Sequence, residues 1–147
     1  MSGHLVLISG ASSGLGRALA DTVPFRGARL LNLSRRATPG LEHVAADLAD
    51  PAGWRAAGES FAREVAGFRG ERVVFVHSAG TLDPIGPAGE VDPERYRRSV
   101  LLNSAAPQIL GEAFLRAARA TEARCDAVMI SSGAARSLYE GWSAYGA

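Results

Sequence analysis

The chain contains no lysine. All sixteen of its basic residues are arginine, and they face fifteen acids, for a formal net charge of +1. So even a balance gives no reason to expect nucleic acid or an anionic membrane as a partner. Cysteine is nearly absent as well. Cys125 alone excludes an internal disulfide, and its place just before an apolar stretch reads as a small core or edge residue in a reducing, cytoplasmic setting. Long apolar runs are missing, and none approaches the ~20 residues that cross a bilayer. An apolar strand is expected by about residue 4, which leaves no room for a secretory leader. The three histidines, His4, His43 and His77, lie far apart, and no metal cluster is expected.

What is present is ordinary in composition and regular in pattern. Apolar residues make up 47% of the 147, enough for one domain with a core. Strands are expected at about His4 to Ser9, Arg29 to Leu33, His43 to Asp47, Arg72 to His77 and Ala127 to Ile130. Helices are expected from about Leu15 to Phe25, Pro51 to Ala66, and Asp92 to Ala120 with an interruption at Pro107. Another helix should start at Trp142. Asp50-Pro51 and Asp92-Pro93 each offer an N-cap acid and a proline at the first helical position. Residues 80–91 read as a loop. Unbroken apolar runs such as Val73-Val74-Phe75-Val76 suit strands buried on both faces of a parallel sheet. The alternation of strands and helices, without repeat or linker, argues a single doubly wound α/β domain.

Between the first strand and the first helix lies Ser9-Gly10-Ala11-Ser12-Ser13-Gly14-Leu15-Gly16. Strand, glycine-rich turn and helix in this order make a dinucleotide-phosphate site. The glycines permit a tight turn and a close backbone approach, and the helix N-terminus offers unpaired N–H groups to a pyrophosphate. The plain alternative for such a loop is a turn that needs positive φ. The spacing Gly10-x3-Gly14-x-Gly16 resembles the variant used by the short-chain dehydrogenase/reductase family, and the resemblance runs almost from end to end. It implies a Rossmann-like sheet of strand order 3-2-1-4-5 with the ligand crevice between strands 1 and 4.

Further residues fit that frame. At the end of the second strand an NAD-selective site places an acid for the adenosine ribose. Here Ser34 is followed by Arg35 and Arg36, which suit a 2′-phosphate and therefore NADP(H); otherwise they are a solvated charge pair. The resemblance implies that Asp47 and Leu48 lie beside the adenine, with a helix-entry aspartate as the plain alternative. Ala79-Gly80 would pass close to the cofactor, so the expected cofactor set is Gly10, Ser12, Ser13, Gly14, Leu15, Gly16, Arg35, Arg36, Asp47, Leu48, Ala79 and Gly80. His77 and Ser78 stand where the family usually has asparagine, and His77 reads as structural, without a visible partner.

Pro107 cannot donate the N–H that a helix would offer to the carbonyl of Asn103, so that carbonyl should be freed and the helix bent. In the resembled family such an asparagine holds a proton-relay water. Ser132, and Tyr145 thirteen residues on, match the family's catalytic serine and tyrosine. A hydroxyl can stabilise the oxygen of a carbonyl receiving hydride, and an acid must protonate it. Phenols are weak acids, with pKa about 10, and a nearby positive charge tunes them. The family supplies it from a lysine four residues after the tyrosine, position 149 here. The expectation is therefore a chain truncated relative to the family, lacking its C-terminal substrate-binding portion and inactive by itself.

The implied function is NADP(H)-dependent reduction of a small ketone or dicarbonyl, in a homodimer or homotetramer. Gly141 to Tyr145 and the Thr81-to-Gly89 loop resemble the sepiapterin reductase and benzil reductase branch. The rivals are a 3-oxoacyl-thioester reductase and a non-catalytic NADP(H)-binding module.

Overall fold

Five strands pair in parallel in the computed structural model, which describes residues 3–147. They are β1 (His4–Ser9), β2 (Arg29–Ser34), β3 (Glu42–Ala45), β4 (Arg72–His77) and β5 (Arg124–Met129). Their order is β3-β2-β1-β4-β5, as the resemblance implied. The helices are α1 (Gly14–Asp21), α2 (Pro51–Glu64), α3 (Pro93–Val100) and α4 (Ala106–Ala118), with a π-helical segment, Leu101–Ala105, joining the last two.

Alternation along the strands divides the core into two layers. Leu5, Leu7, Leu31, Leu33, Val73 and Phe75 face α2 and α4, where they meet Ala57, Phe61, Leu110 and Phe114. Phe61, Phe75 and Phe114 form an aromatic cluster with centroids 4.9, 5.4 and 5.7 Å apart. Each fully buried ring contributes roughly 1.5–3 kcal/mol through burial alone. Val6, Ile8, Ala11 and Ala20 pack on the other face with Leu19, Val23 and Phe25. A sheet covered on both faces explains why its central strands read as continuous apolar runs.

The helix starts follow their local chemistry. Asp50 accepts a hydrogen bond from the Ala52 N–H at 2.7 Å, Asp92 from the Arg95 N–H at 2.8 Å, and a proline follows each. Several boundaries differ from expectation. Helix α1 stops at Asp21, not Phe25, because the Thr22 hydroxyl donates to the Ala18 carbonyl at 2.7 Å and Pro24 bars a continued ladder. Strand β3 runs Glu42–Ala45, one residue earlier than read at its start and two at its end. Strand β5 begins at Arg124, since backbone pairing with Arg72 recruits the polar Arg124-Cys125-Asp126 that hydropathy leaves out. The helix expected from Trp142 does not form. Residues 142–147 make turns, tied by the Gly146 N–H donating to the Trp142 carbonyl at 2.9 Å.

Candidate active site

The strand order reverses between β1 and β4, and there the C-terminal strand ends open a crevice of about 770 Å³. Its floor is the turn after β1. Gly10 has φ +77°, and a Cβ there would lie 2.9 Å from the Ala79 Cα; at Gly16 it would lie 2.3 Å from the Gly10 carbonyl oxygen. No side chain can be added at either position without moving backbone. Ser13, the N-cap of α1, makes no side-chain cap hydrogen bond, and the first turn holds no acid. The helix N-terminus thus keeps its N–H groups available to an anion.

One wall is built by β2. Asn32, fully buried, accepts from the Ala11 N–H at 3.2 Å and donates to the Arg36 carbonyl at 3.0 Å and the Thr38 hydroxyl at 2.9 Å. The Ser34 hydroxyl donates to the same Arg36 carbonyl at 2.7 Å. Two side chains therefore fix the turn that presents Arg35 and Arg36. Both arginines are exposed at the crevice, and neither makes an ion pair among the described residues.

Asp47 and Leu48 lie beside them. A Cβ at Gly53 would lie 2.0 Å from the Asp47 carbonyl oxygen, and the Trp54 indole N–H donates to the Leu48 carbonyl at 2.7 Å. Arg98 reaches from α3 to Asp47 Oδ2 at 3.1 Å. Burial works against the Asp47 carboxylate, but the Ala49 N–H, Arg98 and the more distant Arg35 outweigh it and hold the carboxyl below its usual range.

The opposite wall follows β4. The Ser9 hydroxyl accepts from the Ser78 N–H at 3.0 Å and the Ala79 N–H at 3.1 Å, and lies 2.9 Å from His77 Nδ1. With two N–H groups filling its lone pairs, the hydroxyl proton goes to Nδ1, and the His77 proton sits on Nε2. The histidine without a visible partner thus has one, Ser9, 68 residues away. Burial pushes the imidazole down to about 4, against a smaller opposing backbone contribution at Ala79.

Ser132 caps a short 3₁₀ turn, Gly133–Ala135, its Oγ accepting from the Ala134 N–H at 3.2 Å. It shares the crevice with Ser131 and Tyr145, whose ring packs edge-on against Trp142 at 5.6 Å. Asn103 does not line the crevice. It lies in the π segment just before Pro107; its side chain accepts from the Thr81 N–H at 2.9 Å and donates to the Thr81 carbonyl at 2.7 Å and the Ser99 hydroxyl at 3.2 Å. All other expected site residues meet at the crevice. Sequence reasoning missed Asn32, Gly53, Trp54 and Arg98. A buried-strand asparagine was the one visible signal; Gly53 and Trp54 act on the turn just before their own helix, and Arg98 meets Asp47, 51 residues away. Among the described residues no group of histidine, cysteine and acids could hold a metal ion, and no helix is long and apolar enough to cross a membrane.

A doubly wound parallel sheet with a glycine turn at its switch point defines a Rossmann-like domain. The family model for short chain dehydrogenases matches residues 4–147, and the chain belongs to that family. It is 32% identical to a benzil reductase ((S)-benzoin forming) of Bacillus subtilis (strain 168) over 97% of this chain and 60% of the relative. A short-chain dehydrogenase/reductase crystal structure from Burkholderia vietnamiensis is 35% identical, with TM-score 0.86, over 97% of this chain and 72% of that one. The bulky-bulky ketone specific alcohol dehydrogenase from Comamonas testosteroni is 25% identical, with TM-score 0.77, over 97% and 60%. The chain spans about three fifths of the length of the two benzil reductases it matches.

Proposed function

We propose that the whole protein is an NADP(H)-dependent carbonyl reductase acting on a small ketone or dicarbonyl. The observation that carries the cofactor part is the pair Arg35 and Arg36, exposed at the crevice without an ion-pair partner among the described residues, where Ser34 stands in place of an acid. Two guanidinium groups bind a 2′-phosphate that a carboxylate would repel. The positive-φ turn at Gly10, the close approach at Gly16 and the uncapped α1 N-terminus fit a pyrophosphate. Gly10, Ser12, Ser13, Gly14, Leu15 and Gly16 would hold the phosphates, Arg35 and Arg36 the 2′-group, Asp47 and Leu48 the adenine, and Ala79 and Gly80 the ribose. When bound, the reduced nicotinamide supplies the hydride.

Ser132 Oγ accepts from the Ala134 N–H, which leaves its own proton to donate to a substrate carbonyl. Tyr145 gives the proton that the developing alkoxide takes. The Asn103 backbone carbonyl, which has no N–H to meet at Pro107, holds a relay water. The names of the benzil reductases and of the bulky ketone dehydrogenase support a ketone or dicarbonyl as substrate. The whole protein would work in the cytoplasm as a homodimer or homotetramer. Residues 1–147 contain no lysine to assist Tyr145, so by themselves they should reduce carbonyls poorly.

Calorimetry on the 147-residue chain tests the cofactor part. NADPH should bind more tightly than NADH, and replacing both arginines by alanine should cost NADPH roughly 3–6 kcal/mol, at ~1.5–3 kcal/mol per charge-assisted bond. Equal affinities for the two cofactors would overturn it. In the whole protein, Tyr145→Phe should lower turnover at least ~100-fold while NADPH affinity changes little. Near-normal carbonyl reduction by this variant would remove Tyr145 as the acid.

A further inference from the structure

Helix α3 carries three arginines in its last two turns, and they behave differently. Arg97 pairs with Glu94 on its own helix, and Arg95 with Asp83 in the neighbouring loop. Arg98 instead spans to Asp47, 51 residues earlier, with its Nη2 3.1 Å from Oδ2 and 3.4 Å from Oδ1. Both side chains line the crevice and are partly exposed, at 42% and 38%. On stability grounds alone a pair this exposed contributes little.

Its geometric effect is larger. Oδ1 also accepts the Ala49 N–H at 3.0 Å, so the carboxylate is gripped from its own turn and from α3. Two oxygens offer about four acceptor sites. The short contacts use one on each oxygen, and Oδ2 retains capacity for a further donor. The backbone beneath is immobilised by the Gly53 approach and by the Trp54 bond to Leu48. The result is a carboxylate held at a fixed place in the crevice with an acceptor site to spare.

We propose that Arg98 is a positioning residue for purine recognition: it holds Asp47 so that the carboxylate accepts the exocyclic amine of adenine and rejects a purine with a carbonyl there. The inference rests on the dinucleotide reading of the crevice. A carboxylate attracts an amine N–H and repels a carbonyl oxygen, so the exocyclic group decides the sign of the contact. Freed of Arg98, Asp47 keeps only its local bond to Ala49, and its outer oxygen can swing to solvent.

The test compares NADPH with its hypoxanthine analogue, in which a carbonyl oxygen replaces the adenine amine. Affinities of both for the 147-residue chain are measured by calorimetry, with thermal unfolding as the folding control. The wild type should prefer NADPH about tenfold or more, the range of a hydrogen bond to a charged group. Arg98→Met should bring the two affinities within about threefold by weakening NADPH, and Arg98→Lys should restore most of the preference. An undiminished preference in Arg98→Met would overturn the role of Arg98. A wild type indifferent to the base would overturn adenine reading by Asp47. Failure of either dinucleotide to bind the folded chain would instead sink the cofactor reading beneath both.

Discussion

His77 is 3% exposed, and its Nε2 is buried without a hydrogen-bond partner among the described residues. A protonated imidazole there would be a buried charge, so the folded state keeps the ring neutral down to about pH 4, against 6.5 when unfolded. Between those values the unfolded chain binds the extra proton, and stability falls as pH falls. The contribution is fully present above about pH 6.5 and lost by about pH 4. At 1.36 kcal/mol per unit it amounts to roughly 3 kcal/mol. His77→Asn should remove this dependence, and urea denaturation from pH 7 to pH 4 checks it. Equal slopes for variant and wild type would show that His77 is not held neutral. None of this was legible in the sequence, because the Ser9 hydroxyl that fixes the tautomer lies on another strand. Separation in the chain likewise hid Arg98 from Asp47, 51 residues apart, and Asn32 from the glycine turn at Ala11, 21 residues back. That Arg35, Arg36 and the glycines lie at one crevice was legible, since the turns that carry them can be read from neighbouring residues.

The helical stretch from α3 to α4 shows how one residue shapes an element. Pro107 removes a donor and crowds the preceding turn, and the chain answers with the π segment Leu101–Ala105 rather than a simple bend. The break was readable from Pro107; its form depended on how α3 and α4 pack, and on the Asn103 side chain pinning the Thr81 loop. Pro107→Ala restores the donor and should allow a continuous α-helix. Stability in urea should rise, by at most ~3 kcal/mol. Carbonyl reduction by the whole protein should fall, as the Asn103 carbonyl regains a helical partner. A stabilised variant with unchanged turnover would exclude that carbonyl from proton relay.

At the scale of the molecule, the sheet ends on β5, which pairs only with β4 among the described residues. Val128, Met129 and Ile130 are 41–42% exposed beside that edge. An open parallel edge with apolar neighbours is a template for another chain. The 147-residue chain should therefore self-associate as its concentration rises. Val128→Lys puts a charge at the edge, outside the crevice, and should shift light scattering toward monomer. A wild type that stays monomeric at high concentration would show that the edge is protected.

The sequence by itself determined the alternation of strands and helices, the glycine turn, the proline-capped starts of α2 and α3, and the absence of an acid after β2. Each is set by contacts within a few residues, or by the period at which side chains meet a core. Tertiary structure alone decided that Ser9 meets His77, that Asn32 joins the glycine turn to the arginine turn, and that Arg98 holds Asp47. It also extended β5 into polar residues. These outcomes depend on which strands pair and which helix crosses the crevice, and no local preference encodes partners 21, 51 and 68 residues away.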